Sequence, residues 1–132
     1  AEVVAVDATG VGSGVAPAMA RKKGMKGVRC ISVKVGGKPG NFLRIEQGDF
    51  YSLRDQLWWA VREWLRTDPN AMLPDEPLLI QELLVPTYEV GKTVRVMGKE
   101  QMREYLKRSP NYADALALTF LPAEKARVIR LG

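Results

Sequence analysis

The chain has 132 residues, a formal net charge of +5, no histidine and one cysteine, Cys30. That length suits one domain with a modest core, and the composition is that of an ordinary globular protein with no apolar run long enough to span a bilayer and no signal-peptide layout at the N-terminus, so no membrane partner is expected. The lack of His and the single Cys exclude an internal disulfide, a cysteine zinc cluster and any Ser–His or Cys–His catalytic pair, so that a metal would have to be oxygen-held, which favours Mg2+, Mn2+ or Ca2+.

Val3–Asp7 is a short apolar run and predicts a buried strand. The Gly-rich turn Ala8–Gly14 follows. Val15–Lys23 carries Ala16, Met19 and Ala20 on one face and predicts a helix that stops at Gly24. Val28–Val35 predicts a second strand, and strand, crossover helix and strand together make one parallel βαβ unit of right-handed sense. Gly36–Gly40 is a loop. Asp49 is placed to cap a helix running to about Arg66, with Phe50, Leu53, Leu57, Val61 and Trp64 at helical spacing and Trp58 and Trp59 widening that face; core packing is the expected role of the stripe. Thr67-Asp68-Pro69-Asn70 ends it. Glu76–Leu84 predicts a short helix. Thr87–Val90 and Thr93–Met97 alternate around Gly91-Lys92, as a β-hairpin does.

Lys99–Lys107 predicts a basic helix. The next begins sharply: Ser109 is a natural N-cap and Pro110 suits the first helical position. From Ala113 to Leu121 the segment is apolar except for Asp114 and Thr119, which predicts a helix buried on every side. A carboxylate there needs hydrogen bonds, a basic partner or a metal ion. Ala123–Gly132 is polar and basic with little to bury. The expected fold class is therefore α/β, a parallel βαβ unit flanked by helices plus a β-hairpin, with residues 1–122 as the domain and 123–132 as a basic tail.

The charge is unevenly spread. Between Asp7 and Glu46 there is no acidic residue, while eight basic ones occur: Arg21, Lys22, Lys23, Lys26, Arg29, Lys34, Lys38 and Arg44. Such a block suits a polyanion such as DNA, and its bland alternative is a solvated basic face. Asp7 ends the first strand before a glycine turn, and the crevice beyond the carboxyl ends of parallel strands is where open α/β sheets bind ligands. The glycines do not make a nucleotide site: G-x-G-x-x-G begun at Gly10 puts Val15 at the third glycine, and the G-x-x-x-x-G-K-[ST] phosphate loop is absent.

Several segments, in order, resemble the nuclease domain of the phage terminase large subunit, the DNA-packaging motor protein. Asp7-Ala8-Thr9-Gly10-Val11-Gly12 resembles its second acidic motif, and Tyr51–Trp59 its central helix. Leu73–Pro77 with Gln81-Glu82-Leu83, then Lys99–Arg103 and Arg108–Leu116, resemble its later segments. The resemblance implies a partial RNase H-like fold and a metal-dependent endonuclease acting on double-stranded DNA during genome processing. It implies that Asp7 and Asp114 bind Mg2+ or Mn2+ in a two-metal site. Asn111 stands where relatives often carry Asp, and Lys99 is placed for a DNA phosphate or the attacking water. The strand bearing the first acidic residue and the ATPase domain lie upstream of the matched region, so cutting by this chain alone is expected to be weak. Arg21, Lys22, Lys23, Lys26, Lys38 and Arg108 become candidate DNA contacts. Portal and small terminase subunit are the implied partners, the bacterial host cytoplasm the implied location. A homo-oligomer through an exposed first strand is expected. The rival readings are a non-catalytic DNA-binding or docking module, with both Asp residues structural, and another RNase H-like nuclease.

Overall fold

The computed structural model describes residues 3–7, 29–122 and 127–130. Val3–Asp7 (β1) and Arg29–Val33 (β2) pair in parallel, with Val3 opposite Arg29 and Asp7 opposite Val33. The expected parallel pairing is thus present; the crossover helix expected at Val15–Lys23 lies outside the described residues. Arg127–Arg130 (β6) adds antiparallel to β2, giving the order β1-β2-β6. A tail read as having little to bury therefore contributes a strand, because β2 offers a free row of backbone donors and acceptors on the side away from β1. Among the described residues β1 forms an edge of this sheet.

A second three-stranded sheet, in the order β3-β5-β4, is built from Asp49–Phe50 (β3), Tyr88–Val90 (β4) and Thr93–Val96 (β5). β4 and β5 form the expected hairpin, and β3 joins β5 in parallel, which the sequence did not announce. Asp49 consequently belongs to a strand and does not cap a helix. The cap is Ser52, whose side chain accepts from the Asp55 N–H at the start of Leu53–Thr67 (α1). The other N–H groups of that first turn go to the loop after β2: Leu53 N–H to the Gly37 carbonyl at 2.9 Å, Arg54 N–H to the Val35 carbonyl at 2.7 Å. Helix N-termini leave such donors unpaired unless something meets them. Here the exit of β2 meets them and locks the start of α1 to the sheet.

Ser52 also donates to one Asp55 oxygen, while Asp55 Oδ1 accepts from the Val96 N–H at 2.7 Å. This buried carboxylate ties α1 to β5. Gln56 binds farther along the loop after β2, exchanging hydrogen bonds with the Gly40 backbone and donating to the Leu43 carbonyl.

The apolar stripe of α1 packs as its spacing requires. Leu57, Trp58 and Val61 form a core with Leu79, Met102, Leu106, Ala113 and Ala117. Trp59 turns to a second cluster with Phe50 and Val94. Burying each large side chain is worth about 1.5–3 kcal/mol. Leu79 comes from Pro77–Leu84 (α2), Met102 and Leu106 from Lys99–Leu106 (α3), and the two alanines from Asn111–Leu118 (α4). α3 ends at Lys107, held at φ 61°.

α4 differs from expectation in two respects. It starts one residue later, with Pro110 in the cap position and no side-chain cap of its own. Ser109 Oγ is taken by the Arg103 guanidinium at 2.9 Å. Nor is the helix buried all round: only Ala113 and Ala117 are, because the two alanines form the narrow face that fits against α1.

Candidate functional site

α4 receives its cap from another element. Glu82 of α2, with 0% of its side chain exposed, accepts from the Tyr112 N–H at 2.9 Å and the Ala113 N–H at 3.2 Å through Oε1. Its Oε2 is paired with Arg108 Nη1 at 2.7 Å. Arg108 spends its remaining contacts on the Leu78 carbonyl, the Gln81 amide oxygen and the Ser109 carbonyl. Arg108, a candidate DNA contact, neutralises this buried carboxylate and joins α2 to α4, with 30% of its own side chain exposed. Glu82 went unassigned in the sequence reading, since nothing local marks a residue thirty positions upstream as a helix cap.

That junction holds Asp114 one turn into α4. Asp114 is half-buried, with 28% of its side chain exposed, and pairs with Lys99 Nζ at 3.3 Å. Lys99 opens α3 and is 44% exposed. Together they line a cavity of about 240 Å³ with Val35, Arg54, Leu57, Trp58, Ala117 and Leu118. Val35 lies just past the carboxyl end of β2, so the cavity sits where a parallel sheet presents ligand sites. α4 also comes within 8 Å of β1, Cα to Cα. Asp7 ends that strand opposite Val33, and its side chain lies outside what the structure describes. A larger cavity of about 450 Å³, walled by Trp58, Trp59, Leu65, Leu83, Pro86 and Tyr88 among others, has no acidic residue among the described residues of its lining.

Arg54 is the residue of this site that sequence reading missed. Burial pushes its guanidinium down from the ordinary arginine range, against the opposing pull of the Asp114 and Asp55 carboxylates. It lies 5.5 Å from the centroid of the Trp58 ring, one helical turn on. The available signal was a lone cation between Leu53 and Leu57 in an apolar stripe. Asn111 is exposed at the first position of α4 and does not line the cavity. Lys38 is exposed in the loop after β2, whereas Arg21, Lys22, Lys23 and Lys26 lie outside the described residues. Among the described residues no group of three or more Asp, Glu or Cys is placed to hold a metal ion. None of the described helices is long and apolar enough to cross a membrane.

The nuclease domain of the large terminase subunit gp2 of bacterial virus Sf6 superposes on this chain with a TM-score of 0.71 and 22% sequence identity. The match covers 93% of this chain and 66% of that one. The chain has the fold of a phage terminase nuclease domain. That fold is RNase H-like, a mixed α/β arrangement. Two structures of a lysine-to-alanine mutant of the same Sf6 domain, one with manganese and β-thujaplicinol and one with manganese, match at TM-score 0.71 and 21% identity. They are covered over 66% and 67% of their length, and this chain over 93% and 92% of its own. This chain thus spans about two thirds of the terminase nuclease domains it matches. No protein-family model matches the sequence, nor does any curated protein.

Proposed function

We propose that this chain forms the greater part of a terminase-type nuclease domain, hydrolysing phosphodiester bonds of double-stranded DNA with a divalent metal during phage genome processing. One observation carries the reading: a fold shared with such a domain over 93% of the chain, with Asp114 and Lys99 lining a cavity beyond the strand ends. The Sf6 domain has been seen with manganese and with calcium, in keeping with hard cations held by oxygen. Asp114 is the carboxylate that lines the cavity among the described residues, and the chain has no histidine, so an ion held here would be held by oxygen.

Asp7 and Asp114 would hold Mg2+ or Mn2+, which when bound supplies an activated water and stabilises the leaving oxygen. Lys99 balances the Asp114 charge and, being half exposed, reaches a DNA phosphate without crossing the core. Asn111, outside the cavity lining, is not needed. Arg21, Lys22, Lys23, Lys26 and Lys38 supply phosphate contacts along the duplex. Portal and small terminase subunit are the proposed partners, and the bacterial host cytoplasm the proposed location.

The test is a thermal melt with and without Mn2+ beside a plasmid-cleavage assay. Manganese should raise the melting temperature of the wild type, and Asp114→Asn should abolish that rise along with any cleavage. A wild type indifferent to manganese that still binds duplex would make the protein a non-catalytic DNA-binding module.

A further inference from the structure

We propose that Arg54 is the phosphate-binding residue of this cavity, its guanidinium and Lys99 Nζ together forming a site for a non-bridging oxygen of the phosphodiester. The position of Arg54 is set by the fold, because its own N–H and that of Leu53 are bound to the loop leaving β2. Its side chain enters the cavity that Asp114 and Lys99 line. There the guanidinium meets no strong acceptor among the described residues. Nη2 meets the Met102 sulfur at 3.6 Å, a weak partner, and the buried Nε has none among the described residues. Among the described residues, Asp114 pairs with Lys99, Glu82 with Arg108, and Asp55 binds Ser52 and the Val96 N–H.

A half-buried arginine with an orphan donor is costly unless an anion arrives. Among the described residues the cavity wall carries two cations, Arg54 and Lys99, beside the Asp114 carboxylate, so an anion entering it meets a cationic pair. A planar guanidinium fork matches phosphate oxygens better than an ammonium does, and partial desolvation strengthens the contact. That the anion is a nucleic-acid phosphate rests on the nuclease reading; that an anion site exists does not.

The experiment follows the Arg54 Nε–H resonance of the wild-type chain by NMR during titration with inorganic phosphate, and separately with a short blunt DNA duplex. Duplex affinity is measured over a range of salt for wild type, Arg54→Gln and Arg54→Lys. The Nε–H signal should move with both titrants. Arg54→Gln should lose about tenfold in affinity and reduce the salt slope by about one. Arg54→Lys should keep the slope without the affinity, because it keeps the charge and loses the fork. A resonance that moves with neither titrant overturns the proposal, as does an Arg54→Gln variant with lowered thermal stability and an unchanged salt slope. If Arg54→Gln does not fold, the wild-type resonance decides. Movement with phosphate in a chain that binds no duplex upholds the anion site and removes the nuclease reading. Steep, salt-dependent duplex binding with an unmoved resonance does the reverse.

Discussion

Glu82 and Asp114 show what burial does to two carboxylates joined through one helix. Glu82 is wholly enclosed and satisfied three times over, by Arg108 and by two backbone N–H groups of α4. Removing one member of a buried pair leaves the other uncompensated, at about 3–5 kcal/mol. Arg108 keeps 30% of its side chain exposed, so Glu82→Ala should lower the unfolding free energy by up to that amount in urea titration, and Glu82→Gln, which keeps an acceptor for α4, by clearly less. Asp114 is different. Its pair with Lys99 is half exposed, and pairs of that kind are worth at most about 1 kcal/mol. Asp114→Asn should keep the fold with a melting temperature near that of the wild type. A lost manganese response would then report ligand loss rather than unfolding, whereas an unfolded variant would give Asp114 a purely structural role.

At the level of elements, α1 organises the site. Its first turn receives the exit of β2, its buried Asp55 receives β5, and its apolar face receives α2, α3 and α4. Loss of a Ser cap costs about 1 kcal/mol. Ser52→Ala should destabilise by that amount, and Asp55→Ala by about 1–3 kcal/mol more, since it strands the Val96 N–H as well. Equilibrium unfolding of the two variants checks the order, and equal losses would dissociate Asp55 from β5. Placing α1 needed little beyond sequence, because Leu57, Val61 and Trp58 recur at helical spacing. Its cap did not: Asp49 and Ser52 are both good capping residues, and only the pairing of Asp49-Phe50 with β5 decides between them.

For the whole molecule, the sheet order β1-β2-β6 leaves β1 bonded on one side among the described residues, and open edges recruit other chains. The chain should therefore show concentration-dependent size in sedimentation, and Val4→Lys should shift it toward monomer. A monomer at all concentrations would mean that the edge is already covered. The basic block between Asp7 and Glu46 should make duplex binding fall steeply with salt, and replacing Arg21, Lys22 and Lys23 with Ala should flatten that slope, because each phosphate contact releases counterions. An unchanged slope would leave those residues on a solvated face. By itself the sequence determined the features that depend on nearby residues: the apolar strands β1 and β2, the hairpin at Gly91-Lys92, the stripe of α1 and the short helix α2. These follow from local periodicity and turn chemistry. Tertiary structure alone decided that Arg127–Arg130 becomes a strand, that Glu82 caps α4, that Arg108 pairs with Glu82 and that Arg54 meets Asp114 and Lys99 in one cavity. Those outcomes depend on which distant groups satisfy one another's charges and hydrogen bonds. Sequence spacing carries no record of that until the chain has closed on itself.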